Sequence, residues 1–261
     1  MGIIAPFQEV KCDKCDKNGF ILTESSAIKC DCRKKYEYEL SASDILLKSG
    51  LLNESSSYED FKNLIDFQFE DYRGKDEYSN IKKIKKYVDE FDNSNKPFRN
   101  LHCYVWGKQG TQKSYTLKGM LTKLATKGKS VYYIFAKNLI SLINDAERDE
   151  NAKKLLDYIM NVDVLVIDEF DENRCALWQS GYKEKVLIVW LKDRLEVIRK
   201  STWLISNYSI EEQKESRFGE LYYDLLCREC MYGMFEFKDR YFDSLSKEEI
   251  QERLASIWDE D

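Results

Sequence analysis

Residues 162–170 read VDVLVIDEF, in which four uninterrupted apolar residues run straight into two acids. A strand with one wet face alternates apolar and polar residues, whereas a strand without alternation is covered on both sides. Such strands belong to parallel sheets, whose crossover connections lay helices on both faces. The flanking sequence repeats this logic. LHCYVWG (101–107), SVYYIFA (130–136) and STWLISN (201–207) read as further short strands. Helices are expected between them: over about 113–127, in NLISLINDA and NAKKLLDYIMN, and over 183–199. The chain therefore reads as α/β, built from βαβ units around a parallel sheet.

Composition narrows the class. With 261 residues, 43% hydrophobic and 34% charged, the chain can bury a full core and has room for a large domain and a small one. No apolar run approaches the roughly 18 residues of a membrane span. The N-terminal MGIIAPFQEVKCDKC lacks the basic head and apolar stretch of a secretory signal. A cytoplasmic setting is expected, in which the eight cysteines stay reduced and close Cys spacing points to metal. The net charge of −6 argues against a generally basic nucleic-acid coat.

Three zones follow from the text of the chain. Residues 1–50 are rich in cysteine and lysine and show little apolar periodicity. Residues 51–97 read as a linker with a helix. It opens on the Ser/Asn-rich LLNESSSYEDF, and in IKKIKKYVDEF the residues Ile81, Ile84, Tyr87, Val88 and Phe91 keep helical spacing until NSNKP ends it. Residues 98–261 form the α/β domain and close on KEEIQERLASIW, expected as an amphipathic terminal helix.

The stretch 104–114, YVWGKQGTQKS, stands where the first strand of that domain turns into a helix. A phosphate-binding loop of pattern G-x-x-x-x-G-K-[ST] wraps backbone N–H groups around phosphate, neutralises the outer phosphates with lysine and offers a hydroxyl to Mg2+. Gly107, Lys113 and Ser114 occupy their places, Gly110 adds a second glycine, and Thr111 and Gln112 complete the turn. These six residues are expected to bind the nucleotide. Gln112 stands where the pattern has glycine; a left-handed backbone there would cost a non-glycine residue about 1–2 kcal/mol, which weakens the fit without forbidding it.

Asp168 and Glu169 follow Lys113 by about 55 positions. In nucleotide hydrolases the aspartate of such a pair holds the water shell of magnesium and the glutamate polarises the attacking water. Ser206-Asn207 ends a later strand and sets an amide on the γ-phosphate side of the sheet.

Loop, acidic strand and asparagine strand together resemble the AAA+ ATPases of the helicase-loader type, the DnaC/DnaI/IstB group and their phage relatives, over roughly residues 98–240. The segment LKDRLEVIRKSTWLISNYS is similar to the family outside the core motifs as well. The resemblance implies an AAA+ P-loop fold and ATP hydrolysis with Mg2+, with Glu169 catalytic and Asn207 sensing the nucleotide. It further implies an ATP-dependent loader or remodeller of a hexameric replicative helicase in DNA replication initiation, binding single-stranded DNA and assembling as a homo-oligomer. Its IstB side implies an alternative, a transposition regulator acting on duplex DNA with a transposase. A third reading is a non-hydrolysing adaptor that nucleotide merely stabilises. The family's arginine finger falls on Leu225; Arg228, one helical turn later, is the substitute, and Arg217 is a weaker match. Arg240, in FKDRYF, loosely matches the later sensor arginine at the nucleotide.

A separate signal lies near the N-terminus. Cys12 and Cys15 form C-x-x-C, and Cys30 and Cys32 form C-x-C fifteen residues later, four thiolates on two tight turns. That set suits a closed tetrahedral zinc site, with an iron–sulfur centre or four free thiols as the alternatives. So small a segment has no core of its own, so the metal would supply its folding energy. In the DnaI-like and phage relatives such a module contacts the helicase, and the resemblance implies the same role here. Cys227 and Cys230 form a second C-x-x-C without a partner pair and read as packing residues, as do His102, Tyr132, Tyr133 and Phe135. Lys82, Lys83, Lys85 and Lys86 read as a solvated helix face before a phosphate-contacting one.

Overall fold

A computed structural model describes residues 12–16, 20–23, 26–72, 78–171, 181–214 and 219–239. The expected terminal helix in KEEIQERLASIW, together with Arg217 and Arg240, lies outside them. Among the described residues, five strands form the central sheet: β3 (His102–Trp106), β4 (Val131–Phe135), β5 (Val164–Asp168), β6 (Ser201–Ser206) and β7 (Met234–Glu236). All neighbours run parallel, in the order β4-β5-β6-β3-β7. One strand, β6, thus separates the strand before the glycine loop from the strand that ends in acid.

The unbroken apolar run of β5 is explained by what covers it. Val164 and Val166 face one core, and Leu165 and Ile167 face the other; all four are fully buried. The first core is closed by α1 (Asp31–Lys48), α2 (Tyr58–Ile65), α3 (Tyr78–Asp89) and α4 (Lys113–Thr126). The second is closed by α5 (Ala136–Asp145), α6 (Glu150–Asn161), α7 (Gly181–Lys192) and α9 (Gly219–Glu229). The short α8 (Ile210–Lys214) follows β6. The helix expected over 183–199 changes pitch: after α7 the chain makes a π-helical turn, Asp193–Ile198, ended by Arg199 at φ 54°. That turn aims Arg194 into the interior. Its guanidinium donates to the carbonyls of Ile159, Met160, Val162 and Ser201 and to Thr202 Oγ1, so a fully buried charge has its donors satisfied while it caps the end of α6.

Residues 51–72 and 78–97 contribute packed structure, where the sequence reads as a linker. Ile81, Ile84, Tyr87, Val88 and Phe91 are buried in the first core as their spacing predicts, each such burial contributing roughly 1.5–3 kcal/mol. Tyr87 lies edge-on to Trp203 of β6 and donates to Ser201 Oγ at 2.7 Å. The Ser-rich stretch before α2 is a helix cap: Ser57 accepts from Asp60 N while the Asp60 carboxylate accepts from Ser57 N. Phe67 lies against Gly119 of α4 so closely that a Cβ there would come within 2.3 Å of its ring. The lysine face of α3 is exposed, with Lys85 paired to Glu70 and Lys86 to Glu90.

The N-terminal zone divides. β1 (Phe20–Leu22) and β2 (Ala27–Lys29) form an antiparallel hairpin, and α1 follows at once. Periodicity hides α1 because its buried stripe is narrow and half polar, Glu39, Ala42, Ser43 and Leu46. Its C-terminal end reaches the edge of the sheet, where Tyr133 N of β4 donates to Ser49 O. No helix among the described residues is long and apolar enough to cross a membrane.

Candidate functional site

At the C-terminal ends of β3, β5 and β6 a cavity of about 360 Å³ is lined by the glycine loop, Asp168, Glu169, Asp171 and Asn207. Parallel strands splay their ends into such a crevice, and the helix that starts there presents unpaired N–H groups to it. Gly107 holds the base of the loop. Its φ is 147°, and a Cβ would meet Phe237 O at 1.9 Å, because the chain after β7 bonds back through Phe237 N to Trp106 O. Gln112 is the left-handed residue that the sequence pattern warns of, at φ 63° and ψ 15° in the N-cap position of α4.

Lys113 is 6% exposed. Its ammonium donates to Gly107 O at 2.5 Å, Lys108 O at 2.9 Å and Thr111 Oγ1 at 3.3 Å, and faces Asn207 Oδ1 at 3.4 Å. The loop thus points its one buried cation into the concavity where an anion would sit. Ser114 lines the same cavity beside it.

Across the cavity, Asp168 is 4% exposed. It accepts from its neighbour's backbone, Glu169 N, at 2.6 Å, and from the hydroxyl of Tyr133. Burial and the adjacent carboxylate push the Tyr133 hydroxyl well above the ordinary phenol range, which keeps it a proton donor. Glu169 has φ 53°, a conformation that turns its half-buried side chain away from the strand's alternation. Lys118 extends over the Tyr133 ring at 4.7 Å, its ammonium made less basic by burial.

Asn207 follows β6 and meets two opposite groups. Its Nδ2 donates to Asp171 Oδ2 at 3.0 Å, and its Oδ1 faces Lys113. Gln213 of α8 anchors this end of the sheet, donating to Phe170 O and Ser206 Oγ, both at 2.8 Å. Sequence reasoning missed Tyr133, Lys118 and Asp171. The signal for Asp171 was present, a third acid three residues after Asp168. Tyr133 had none, since its role comes from strand register: β4 and β5 pair Tyr133 with Val166 and Phe135 with Asp168, which brings the Tyr133 hydroxyl within reach of Asp168.

Of the candidate finger positions, the two that are described lie apart from this group. Leu225 is 1% exposed and packed in the second core. Arg228, exposed at the end of α9, pairs with Glu196 and Glu229 and does not line the cavity. His102 and Cys230 are buried, as expected of packing residues.

Cys12, Cys15, Cys30 and Cys32 converge, with their sulfurs all within 4.8 Å of one another. The Cys12–Cys30 and Cys15–Cys32 separations are 3.8 Å and 3.4 Å. A tetrahedron of thiolates about 2.3 Å from zinc has edges of about 3.8 Å, so the set fits that ion. Cys30 stands at the N-cap of α1 and Cys32 lies in its first turn, where burial raises the Cys32 thiol. The Cys12 thiol is drawn down to about 7, chiefly by the backbone N–H of Lys14.

Comparison with known proteins gives one consistent result. The family described as IstB-like ATP binding protein matches residues 54–222. The replicative helicase loader DnaC of Escherichia coli (strain K12) is 32% identical over 149 residues, which cover 55% of this chain and 56% of that protein. DnaC of Buchnera aphidicola subsp. Baizongia pistaciae (strain Bp) is 31% identical over 127 residues, 47% of each chain. The chain spans about half the length of the curated relatives it matches. A crystal structure of the DnaC helicase loader superposes with a TM-score of 0.54 at 21% identity, covering 66% of this chain and 97% of that one. The replication initiator DnaA, bound to AMPPCP and single-stranded DNA, superposes with a TM-score of 0.51 at 14% identity, covering 73% of this chain and 55% of that one. At these identities the structural likeness speaks for the AAA+ fold.

Proposed function

Because the chain belongs to the IstB-like ATP-binding protein family, we propose that it binds ATP at the C-terminal edge of its sheet and uses ATP turnover to load or remodel a replicative helicase. The observation that carries the reading is the convergence of Lys113, Asp168, Glu169 and Asn207 on one cavity from three different strand ends. The resemblance to DnaC loaders supplies the partner class.

In this reading the N–H groups of residues 107–114 wrap the phosphates, and Lys113 exchanges its loop carbonyls for phosphate oxygens. Ser114 and Asp168 offer the hard oxygen donors that suit Mg2+, which when bound neutralises charge on the β- and γ-phosphates. Glu169 polarises the attacking water, and Asn207 stands beside it on the γ-phosphate side. Arg228 is the described arginine that we assign to a neighbouring subunit's nucleotide in a homo-oligomer. Its ion pairs are solvent-exposed and cost little to exchange. Arg240, by resemblance, serves the same nucleotide from its own chain. The four cysteines hold zinc, and the hairpin they brace presents Ile21 and Ile28, paired across the strands and exposed, as the surface a hexameric helicase covers. Single-stranded DNA is the expected nucleic-acid ligand, and the cytoplasm the expected setting.

Two substitutions test the site. Lys113→Ala should abolish tight ATP binding, whereas Glu169→Gln should keep binding and lose about 10²–10⁴-fold in turnover. If both variants bind and hydrolyse as the native protein does, the nucleotide site is elsewhere. Adding the host's hexameric helicase and single-stranded DNA to the turnover assay tests the loader. Stimulation by duplex DNA with a transposase would instead favour the transposition reading, and ATP binding with no turnover under any condition would favour the adaptor.

A further inference from the structure

Asp171 is 1% exposed, follows β5 by three residues and takes no part in the roles assigned above. It is fixed from behind: Phe170 N donates to Ile205 O at 2.8 Å, and the Phe170 ring is buried against Tyr222. One carboxylate oxygen accepts from Asn207 Nδ2 at 3.0 Å. The other, Oδ1, is buried with no hydrogen-bond partner among the described residues, and Asp171 lines the nucleotide cavity. A buried carboxylate with an open oxygen is rare in a folded protein and asks for an explanation.

We propose that Asp171 is a positioning residue that dictates which end of the Asn207 amide faces the nucleotide. A carboxylate oxygen accepts and an ammonium donates, so the amide between them has one compatible orientation: Nδ2 toward Asp171 and Oδ1 toward Lys113. Without Asp171 only the 3.4 Å contact with Lys113 orders the amide, whose two ends are nearly the same shape. The orientation has a chemical consequence. Asn207 presents an acceptor to the γ-phosphate side of the cavity. A carbonyl oxygen repels phosphate oxygens but accepts a hydrogen from a water molecule, so Asn207 orients the water that Glu169 polarises and contributes little to holding ATP. This rests on the reading of the cavity as an ATP-hydrolysing site.

The test combines kinetics with a readout that needs no turnover. Asp171→Ala should lower kcat about tenfold or more and leave KM for ATP within about threefold, because a water-orienting group acts in the transition state. In an Asn207→Ala background the same change should cost less than about twofold, since Asp171 acts through Asn207. Asp171→Asn, whose own carbonyl can accept the same bond, should retain most of kcat and serves as the folded control should the alanine variant be unstable. In protein labelled with ¹⁵N-asparagine, the Asn207 side-chain amide should shift in Asp171→Ala and stay near its native position in Asp171→Asn. An Asp171→Ala loss of equal size in both backgrounds, a KM that rises in step with the fall in kcat, or an Asn207 resonance indifferent to Asp171→Ala would each overturn the proposal. A native protein that binds ATP without turning it over would sink the ATPase reading, and the resonance comparison would still decide whether Asp171 sets the amide.

Discussion

The cysteine cluster and the nucleotide loop are both short turns that gather polar atoms around a point, and they are held in opposite ways. The loop rises from β3, an inner strand of the sheet, and apolar cores close both of its faces; Thr111 and Lys113 are buried within it. The cluster is braced by two three-residue strands, and every residue of β2 is exposed. Burial beneath the loop gives it order without a ligand. The cluster has no such layer among the described residues, and an ion bound by its four sulfurs would supply the missing order. The boundary between the two regimes runs through α1, whose first turn carries Cys32 and whose later Ala42 and Leu46 belong to the sheet's core.

The largest effect should come from breaking the cross-link. Cys12→Ser is expected to release the metal and melt the hairpin, because a structural zinc site supplies on the order of 10 kcal/mol to a segment of this kind. The C-terminal half of α1 and the sheet should survive, so hydrogen exchange would rise before α1 and remain slow at Leu46. Less than about half an equivalent of zinc or iron in the native protein would remove the premise.

The core should show an acid sensitivity of its own. His102 is the chain's single histidine and is buried at the start of β3, with its ring Nε2 against Leu195 O. Burial lowers its pKa from 6.5 to about 4. As the pH falls below 6.5 the unfolded chain takes up the proton first. Stability that is complete above 6.5 is therefore lost between 6.5 and 4, by up to about 3 kcal/mol. Thermal melts of the native protein and His102→Gln should diverge in slope between pH 6.5 and 5, with the variant the flatter. Parallel slopes would show that the ring is not protected.

The smallest effect concerns the loop's one irregular residue. Gln112 is left-handed in the folded chain, so its strain bears on folding stability. Gln112→Gly should therefore raise folding stability, by about 1 kcal/mol or less once glycine's greater unfolded freedom offsets part of the gain. ATP affinity should move little. Weaker binding by the glycine variant would show that the amide belongs to the site.

Much of the site could be read directly. Lys113, Ser114, Asp168, Glu169 and Asn207 carry their meaning in residue type and local spacing, and the structure gathers them into one cavity, with Gly107 at the base of the loop. Tyr133 could not be read so, and Asp171 showed only as a further acid after Asp168. The role of Tyr133 depends on the register that sets Phe135 opposite Asp168, and that of Asp171 on the return of β6 beside β5. The helices of the first 97 residues were partly hidden for a related reason. The stripe of α1 is half polar, and the serines before α2 cap a helix that is short enough to pass for a loop.

The sequence by itself determined the α/β class, the loop, the acidic strand and the four-cysteine set, because each is written in local periodicity or in fixed spacing along the chain. Only the tertiary structure decided that α2 and α3 pack into the core, that Gln112 is left-handed, that Leu225 is sealed inside and that Tyr133 and Asp171 flank the site. Those facts turn on which strands become neighbours and in what register, a choice made by burying both faces of the sheet at once.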